Sequence, residues 1–404
     1  VNRRRIRRIE AAGGRSPCSG EDGACHSARS YFAAGEPDGA AAAIVANEIE
    51  RREIMRAAII GIGSLGTIIG ALITKGGKPI DLFDSYKDNV DALNRFGATI
   101  TGALDLNVPV TAYTPDQMTG EYDLVFLLTK QTNNHSVLPQ LLPHLRCDSV
   151  VCTLQNGVPE DSVASIVGRG RTVGGAVGFG ATWLRPGVSS LTSSYATVEK
   201  FAFEIGEIDG VLRPRLKTVQ EYLECVGATE IRDNLMGIKF TKVLMNSTFS
   251  GMSAALGCTF GDVLANPKAM TCLAFVANEC IAVAHARGVG LVEMQGEDLE
   301  FFELKSAADI PSKMTLYRKI WGPHAKLKAS MLQDLEKGRE CEINYINGVI
   351  CQQGRACGIP TPFNDRIVEL VTEAQTRRGV NDFSYLSRFD GLLEKYAKEH
   401  TLAF

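Results

Sequence analysis

The sequence predicts an open α/β domain followed by an all-helical domain, and three observations carry that prediction. A glycine-spaced turn joins an apolar strand to an apolar helix within residues 55–76. Short apolar runs then alternate with helical patterns up to about residue 228, the rhythm of a sheet covered by helices. From Asp233 onward the apolar residues recur only at helical spacing.

The first of these stretches is the most specific. Ala57 to Ile60 reads as a buried strand, and Gly61, Gly63 and Gly66 follow at G-x-G-x-x-G spacing. Leu65, Ile68, Ile69, Leu72 and Ile73 then form the apolar stripe of one helix. Strand, glycine turn and helix together make a dinucleotide site. Gly61 permits the tight turn, Gly63 lets the backbone approach a pyrophosphate, and Gly66 allows helix and strand to pack closely. Gly61, Ile62, Gly63, Ser64, Leu65 and Gly66 would therefore surround the phosphates, which meet the unpaired N–H groups of the helix start. Ala57 to Ile73 holds no charged residue, but its glycines, Ser64 and Thr67 make it a poor membrane span, and no other segment looks membranous.

A chain of 404 residues is too long for one ordinary core. With 45% hydrophobic and 22% charged residues it has the composition of a soluble globular protein. A net charge of −3 gives no electrostatic basis for binding nucleic acid or an anionic membrane. The 11 cysteines include no C-x-x-C pair, which argues for reduced thiols in a cytoplasmic protein and against a zinc site. His285 and His324 stand alone, without a second ligand at metal spacing, so no metal is expected.

Residues 1–54 differ from the rest. They are basic, then rich in Ala, Gly and Ser, with no sustained periodicity and no apolar core of a secretory signal. They are expected to be disordered or an extension foreign to the native protein, with the folded unit beginning at Met55. The expected division is a dinucleotide-binding domain over 55–228, a helical domain over 229–378 and a tail over 379–404.

After the first helix, Gly76-Gly77 stops the chain and Pro79 to Phe83 forms a second strand. Asp84 ends it, 18 residues after Gly66. A carboxylate there accepts hydrogen bonds from ribose hydroxyls and repels a 2′-phosphate, which leans toward NAD, although Lys87 is close. Asp84 equally suits a cap for the helix that follows. Asp105 to Tyr113 reads as a strand, and Asp123 to Leu128 as a strand buried on both faces. The latter delivers Lys130 to its carboxyl end, where such sheets bind ligands. His135 to Leu145 is a short helix, and Ser149 to Leu154 a strand that ends at Asn156. Asn156 suits an amide contact to nicotinamide and substrate, and Asn-Gly is also a common turn. Thr172 to Thr182 reads as a glycine-rich strand, and Gly187 to Gly206 as antiparallel strands extending the sheet.

In the helical half, Ile238 to Ala255 carries Lys242, Asn246 and Ser250 at i, i+4 and i+8, on one face of a helix. Phe240, Val243, Leu244 and Phe249 supply the apolar side. That stripe suits either solvent or a wet cleft in an apolar wall. Met270 to Gly288 is one amphipathic helix. In Ser330 to Ile350, a straight helix would hold Ser330 and Glu342 about 18 Å apart. Lys337-Gly338 offers a break that would fold both ends toward one site. A last helix runs from Asn364 to Arg377.

Five of these motifs carry a resemblance: GIGSLG, LLTK ending in Lys130, LQNGV around Asn156, KFTKVLMNSTFS, and SMLQDLEKGRECEINYING. From Met55 to about Arg377 the chain resembles the ketopantoate reductases (2-dehydropantoate 2-reductases), including the branch of D-2-hydroxyacid dehydrogenases of the D-mandelate type. The resemblance implies a Rossmann-type domain, an all-α domain like that of 6-phosphogluconate dehydrogenase, and an active site between them. It implies Lys242 as catalytic lysine, Asn246 as substrate ligand, Ser330 for the substrate carboxylate and Glu342 as partner of the active-site groups. Lys130 and Asn156 match cofactor- and substrate-side positions. Ser250 stands where ketopantoate reductases carry a second asparagine, and Asp84 where NADPH-using members usually place an arginine.

The implied reaction is reduction of a 2-keto acid, foremost 2-dehydropantoate to (R)-pantoate, with NADP(H) or NAD(H). Hydride transfer leaves negative charge on the carbonyl oxygen, which a cationic Lys242 stabilises and protonates. Glu342 is expected to keep that ammonium charged and aimed. Ser250 and Asp84 lean toward a dehydrogenase of bulkier D-2-hydroxy acids. A nucleotide-binding regulator is a third alternative, opposed by the joint presence of Lys242, Asn246, Ser330 and Glu342. The expected partner is a small-molecule 2-keto acid, with no nucleic acid or membrane, and the resemblance implies a homodimer.

Overall fold

The computed structural model describes residues 55–294 and 296–399, so the expectation for residues 1–54 lies outside the described residues. Residues up to 231 hold the strands. Six parallel strands are β1 (Ala57–Ile60), β2 (Asp81–Phe83), β5 (Ala112–Tyr113), β6 (Tyr122–Leu127), β7 (Leu145–Thr153) and β8 (Thr172–Val177). β11 (Phe203–Glu207) runs antiparallel beside β8, and β12 (Thr229–Ile231) closes that edge. The order across the sheet is β12-β11-β8-β7-β6-β1-β2-β5. β1 has β2 on one side and β6 on the other, so the chain reverses its direction of spread there, the place where open α/β sheets bind ligands.

Alternation along the strands explains the layers. Ala57 and Ile59 face a core shared with Ile68, Ile69 and Leu72 of α1 (Ser64–Lys75). Ala58 and Ile60 face the opposite core, which is covered by α3 (Asn134–Leu141) and α4 (Glu160–Val167). A central strand buried on both faces has no polar side, which is why β1 and β6 read as continuous apolar runs. α2 (Lys87–Phe96) follows β2.

Two strand expectations need correction. The run from Asp105 to Tyr113 is split: β4 (Leu106–Val108) pairs with β3 (Ala98–Gly102), and β5 joins the main sheet. Pro109 lies between them and has no N–H to continue a ladder. The stretch from Thr172 likewise breaks at Gly178. β9 (Ala181–Arg185) and β10 (Val188–Leu191) do not extend the main sheet; with β3 and β4 they make a separate four-stranded sheet, order β4-β3-β10-β9. α5 (Tyr195–Lys200) then leads back to β11, and α6 (Arg215–Leu223) to β12.

Beyond β12 the chain is helical: α7 (Leu235–Met245), α8 (Gly251–Leu256), α9 (Phe260–Ala265), α10 (Pro267–Ala286), α11 (Ile310–Trp321), α12 (Ser330–Glu336), α13 (Ile343–Cys357), α14 (Pro362–Thr376) and α15 (Asp390–Glu399). They enclose one large apolar core. α10 runs through it. Its 20 residues are apolar enough to cross a membrane, which corrects the view that no second segment has that character, but 72% of its apolar window is buried inside the protein. It is the core helix of this half. Among the described residues nine cysteines carry free thiols.

Candidate active site

The glycine turn is built as its spacing requires. Gly61 has φ +101°, and a Cβ there would lie 2.6 Å from the Thr129 nitrogen. A Cβ on Gly66 would lie 2.1 Å from the Gly61 carbonyl oxygen, so loop and helix start touch through that missing side chain. Above Gly63, by contrast, a Cβ would meet nothing within 4 Å. α1 has no side-chain cap and no acidic residue in its first turn. An open approach over Gly63 and an uncapped helix start fit a pyrophosphate, which supplies the missing acceptors. Ser64 and Leu65 are half-buried beside it, whereas Ile62 is buried in the core and offers only backbone.

Asp84 stands at the carboxyl end of β2. Its carboxylate accepts from the Tyr86 N–H at 2.9 Å and from Asn89 Nδ2 at 2.9 Å. Asn89 also donates to the Ile62 carbonyl at 2.9 Å. Asp84 therefore does not cap α2 at its N2 or N3 amide. It closes a short turn and is tied to the glycine loop through Asn89.

Reading along the sheet, the carboxyl ends of β2, β1, β6, β7 and β8 present Asp84, the glycine loop, Lys130, Asn156 and the Val177 carbonyl in that order. Four interstrand steps of about 4.8 Å make a rim about 19 Å long. α7 lies across the β8 end. Gly174 and Gly175 of β8 make that packing possible: a Cβ on Gly174 would meet Glu160 Oε1 at 2.6 Å and Leu235 Cδ2 at 2.7 Å.

Lys242, on α7, donates from Nζ to the Val177 carbonyl at 2.5 Å. Burial, and then the positive charge of Lys239, push its ammonium down to about 7, against a smaller upward pull from Glu204. Among the described residues its other two N–H groups have no partner. α7 runs into a π-type segment, Asn246–Ser250, before α8. The wider turn offsets Ser250 from the stripe that an unbroken helix would give, a correction to the i, i+4, i+8 expectation. Lys242, Asn246 and Ser250 are each partly exposed, while Phe240, Val243, Leu244 and Phe249 are buried. The π segment rests on buried polar groups that periodicity does not reveal. Asn347 Nδ2 donates to the Ser247 carbonyl at 3.0 Å and to Asn364 Oδ1 at 2.9 Å, and Asn364 Nδ2 donates to Glu279 at 2.7 Å.

The predicted break between Ser330 and Glu342 is present: α12 ends at Glu336, Gly338 has φ +62°, and α13 begins at Ile343. The folded arm reaches the β6 end. Lys130 Nζ pairs with Asp334 Oδ2 at 2.7 Å and donates to the Glu340 carbonyl at 3.2 Å. Gln131 joins two predicted residues: its N–H donates to Glu342 Oε1 at 3.0 Å, and its Nε2 donates to the Asn156 carbonyl at 2.5 Å. Gly157 permits the close approach, since a Cβ there would lie 2.2 Å from the Tyr345 carbonyl oxygen. Burial raises the Glu342 carboxyl, opposed by the Gln131 N–H and Lys130. No hydrogen bond or ion pair joins Glu342 to Lys242 among the described residues. Glu342 is anchored on Gln131, and the charges that act on Lys242 are Lys239 and Glu204. Ser330 is exposed in the first turn of α12.

Spacing assigns no role to Lys239, which opens the KFTKVLMNSTFS motif, or to Glu160. Their ion pair is 3.0 Å long with side chains 1% and 0% exposed. The available signal was a second lysine one turn before Lys242, on the same helix. His285, expected to stand alone, pairs with Glu300 at 2.8 Å. Among the described residues no three of His, Cys, Asp and Glu stand close enough to hold a metal ion.

Residues 57–203 match the family described as ketopantoate reductase PanE/ApbA, and residues 234–375 match that family's C-terminal part. A 2-dehydropantoate 2-reductase of Archaeoglobus fulgidus is 27% identical over 325 residues, 79% of this chain and 97% of that protein. Among solved structures, D-mandelate dehydrogenase with NADH and anilino(oxo)acetate is similar with a TM-score of 0.69 at 22% identity, over 80% of this chain and 99% of that one. A PanE/ApbA family ketopantoate reductase from Ralstonia eutropha JMP134 gives 0.68 at 24% identity, over 80% and 99%. These two likenesses speak for the fold. With both parts of the family matched in order, on the sheet-bearing and the helical halves, the chain belongs to the ketopantoate reductase family and is an oxidoreductase.

Proposed function

We propose that the protein, as a homodimer, reduces a 2-keto acid to a 2-hydroxy acid with a nicotinamide cofactor, the foremost reaction being 2-dehydropantoate to (R)-pantoate. The observation that carries this reading is Lys242: an amine with two N–H groups uncommitted among the described residues, shifted to about 7, at the β8 end of a rim whose other end fits a dinucleotide. The cofactor, when bound, supplies a hydride to the substrate carbonyl carbon. The Lys242 ammonium meets the oxygen on which charge develops and gives it a proton, leaving a neutral amine. Asn246, Ser250 and Ser330 are neutral donors that orient the substrate without drawing Lys242 away. Asn156 offers its amide to nicotinamide and substrate, and Glu342 with Gln131 secures the loop that carries it.

Asp84 supports NAD(H): a carboxylate held by Asn89 beside the glycine loop repels a 2′-phosphate. Together with Ser250 in place of an asparagine, it favours as second reading a D-2-hydroxyacid dehydrogenase for branched or aromatic acids. Oxidation of NADH and NADPH with ketopantoate and with phenylglyoxylate, side by side, separates the readings. Turnover of no keto acid would leave a nucleotide-binding regulator. Lys242→Ala is expected to lower kcat by about 10²- to 10⁴-fold while cofactor affinity changes little; near-normal turnover removes Lys242 from the catalytic role.

A further inference from the structure

Two lysines one turn apart on α7 reach down to the same strand. Lys242 donates to the carbonyl of Val177, and Lys239 to that of Gly175 at 3.1 Å. They differ in what remains. Lys239 Nζ also donates to the Gln155 carbonyl at 2.8 Å and lies 3.0 Å from Glu160 Oε1. Two carbonyl acceptors and the ionic contact with Glu160 surround the Lys239 Nζ, so among the described residues it is committed to the protein and leaves nothing to offer a substrate. Among the described residues Lys242 has one acceptor and two N–H groups to spare. Glu160, the first residue of α4, is wholly buried, and among the described residues its oxygens have no hydrogen-bond donor apart from the ionic contact with Lys239.

We infer that Lys239, locked by Glu160, is a positioning residue for the reaction: it seats α7 on the β7 and β8 ends and holds a fixed positive charge beside Lys242. The inference rests on Lys242 being the proton donor. An apolar contact of the same size would be as stable as a buried ion pair or more so, so stability alone does not account for this one. Its location supplies the reason. The groups that face Lys242 are Lys239 from its own helix, the Val177 carbonyl from β8, and Glu204 from β11, which is itself bound to Arg232 at 3.2 Å. Those that face Lys239 are Glu160 from α4, Cys152 from β7 and Lys242. Lys239 is thus a cation held on the same helix, one turn from the reacting amine, whose charge acts on it. It lowers the affinity of Lys242 for its proton, which makes the ammonium a stronger acid toward the nascent alkoxide and eases release of the proton-free amine form.

The test is the pH profile of kcat for keto acid reduction in the full-length protein at saturating cofactor and substrate. Lys239→Met with Glu160→Gln removes both charges, and is expected to move the descending break upward by about one pH unit. A second variant, Lys239→Glu with Glu160→Lys, keeps a buried pair but places the negative member beside Lys242, and is expected to move the break further in the same direction. A merely structural pair would change amplitude and thermal stability and leave the break in place. A folded variant with the parent's break overturns the inference. Failure of both variants to fold overturns it too, since the pair is then structural. Lys242→Ala, measured alongside, keeps the two ideas apart. If it turns over like the parent, the proton-donor reading fails. If it is inactive while the Lys239 variants keep the parent's break, only the positioning role falls.

Discussion

Lys242 is reached by physics that a sequence does not display. An amine is ordinarily half-protonated near 10.4, and here burial with Lys239 brings it to about 7. With Lys242 as the proposed proton donor, kcat for keto acid reduction is expected to be level below pH 7 and to fall about tenfold per unit above it. Oxidation of the hydroxy acid needs the free amine and should rise through the same pH. The stability consequence has the opposite sign to that of a paired surface lysine. Between about 7 and 10.4 the unfolded chain binds more protons, so stability rises with pH across that window and the penalty is full below 7. Lys242→Met is therefore expected to stabilise the fold against urea, more at pH 6 than at pH 9. A gain that is larger at pH 9 would contradict the shift. Asp84 carries a second residue-scale prediction. Losing a charged acceptor is worth about 1.5–3 kcal/mol, so Asp84→Ala should raise the KM for NADH at least about tenfold and narrow its preference over NADPH. Unchanged KM values for both cofactors would confine Asp84 to its turn.

At the scale of elements, the three motif glycines separate cleanly. Gly66 is needed by the fold: a Cβ would strike the Gly61 carbonyl at 2.1 Å. Gly63 is needed only by a ligand, since its Cβ would meet nothing. Gly63→Ala should leave urea stability within about 0.5 kcal/mol of the parent and still weaken cofactor binding. Gly66→Ala should lose both binding and about 1–3 kcal/mol. A Gly63→Ala protein with parental affinity in a cofactor titration would show that the pyrophosphate does not approach there. The π segment is a different kind of element. Its irregular backbone is braced by Asn347, which donates to the Ser247 carbonyl and to Asn364, and by Asn364, which donates to Glu279 in the core. Burial raises the Glu279 carboxyl to about 8, against the pull of the Phe363 and Asn364 donors. Asn347 lies in YING, a motif legible in the sequence, but its partners are remote in the chain and no spacing rule connects them.

For the whole molecule, the sheet and the helices are joined by buried groups, chiefly Lys239 with Glu160 and the two carbonyls, and by the Lys130 and Gln131 contacts to the 334–342 arm. Such a junction should not open independently of either half. The two tryptophans report on the halves separately, Trp183 on β9 and Trp321 at the end of α11. Fluorescence of Trp183→Phe and Trp321→Phe proteins should change at the same urea concentration, coincident with loss of helix by circular dichroism. Separated midpoints would show two independently folding units. Much of this architecture was legible beforehand. The glycine turn, β1, β6, β7 and the break at Lys337-Gly338 are local patterns whose periodicity or special φ reflects burial and turn geometry directly. The second sheet was not, because Pro109 and Gly178 divert strands whose composition suits either sheet equally.

The sequence by itself determined the order of the parts: a strand, turn and helix that admit a dinucleotide, Asp84 at the next strand end, and the motifs that place Lys242, Asn246, Ser330 and Glu342 in one family. These depend on residue type and spacing within a short stretch. Only the tertiary structure decided how the charges act on one another. Glu342 turned out to hold Gln131, and the cation that tunes Lys242 is Lys239, pinned by Glu160 from 79 residues earlier in the chain. Electrostatic coupling depends on distance and burial after folding, and neither is written in the spacing of residues that meet only when the helical half closes onto the sheet.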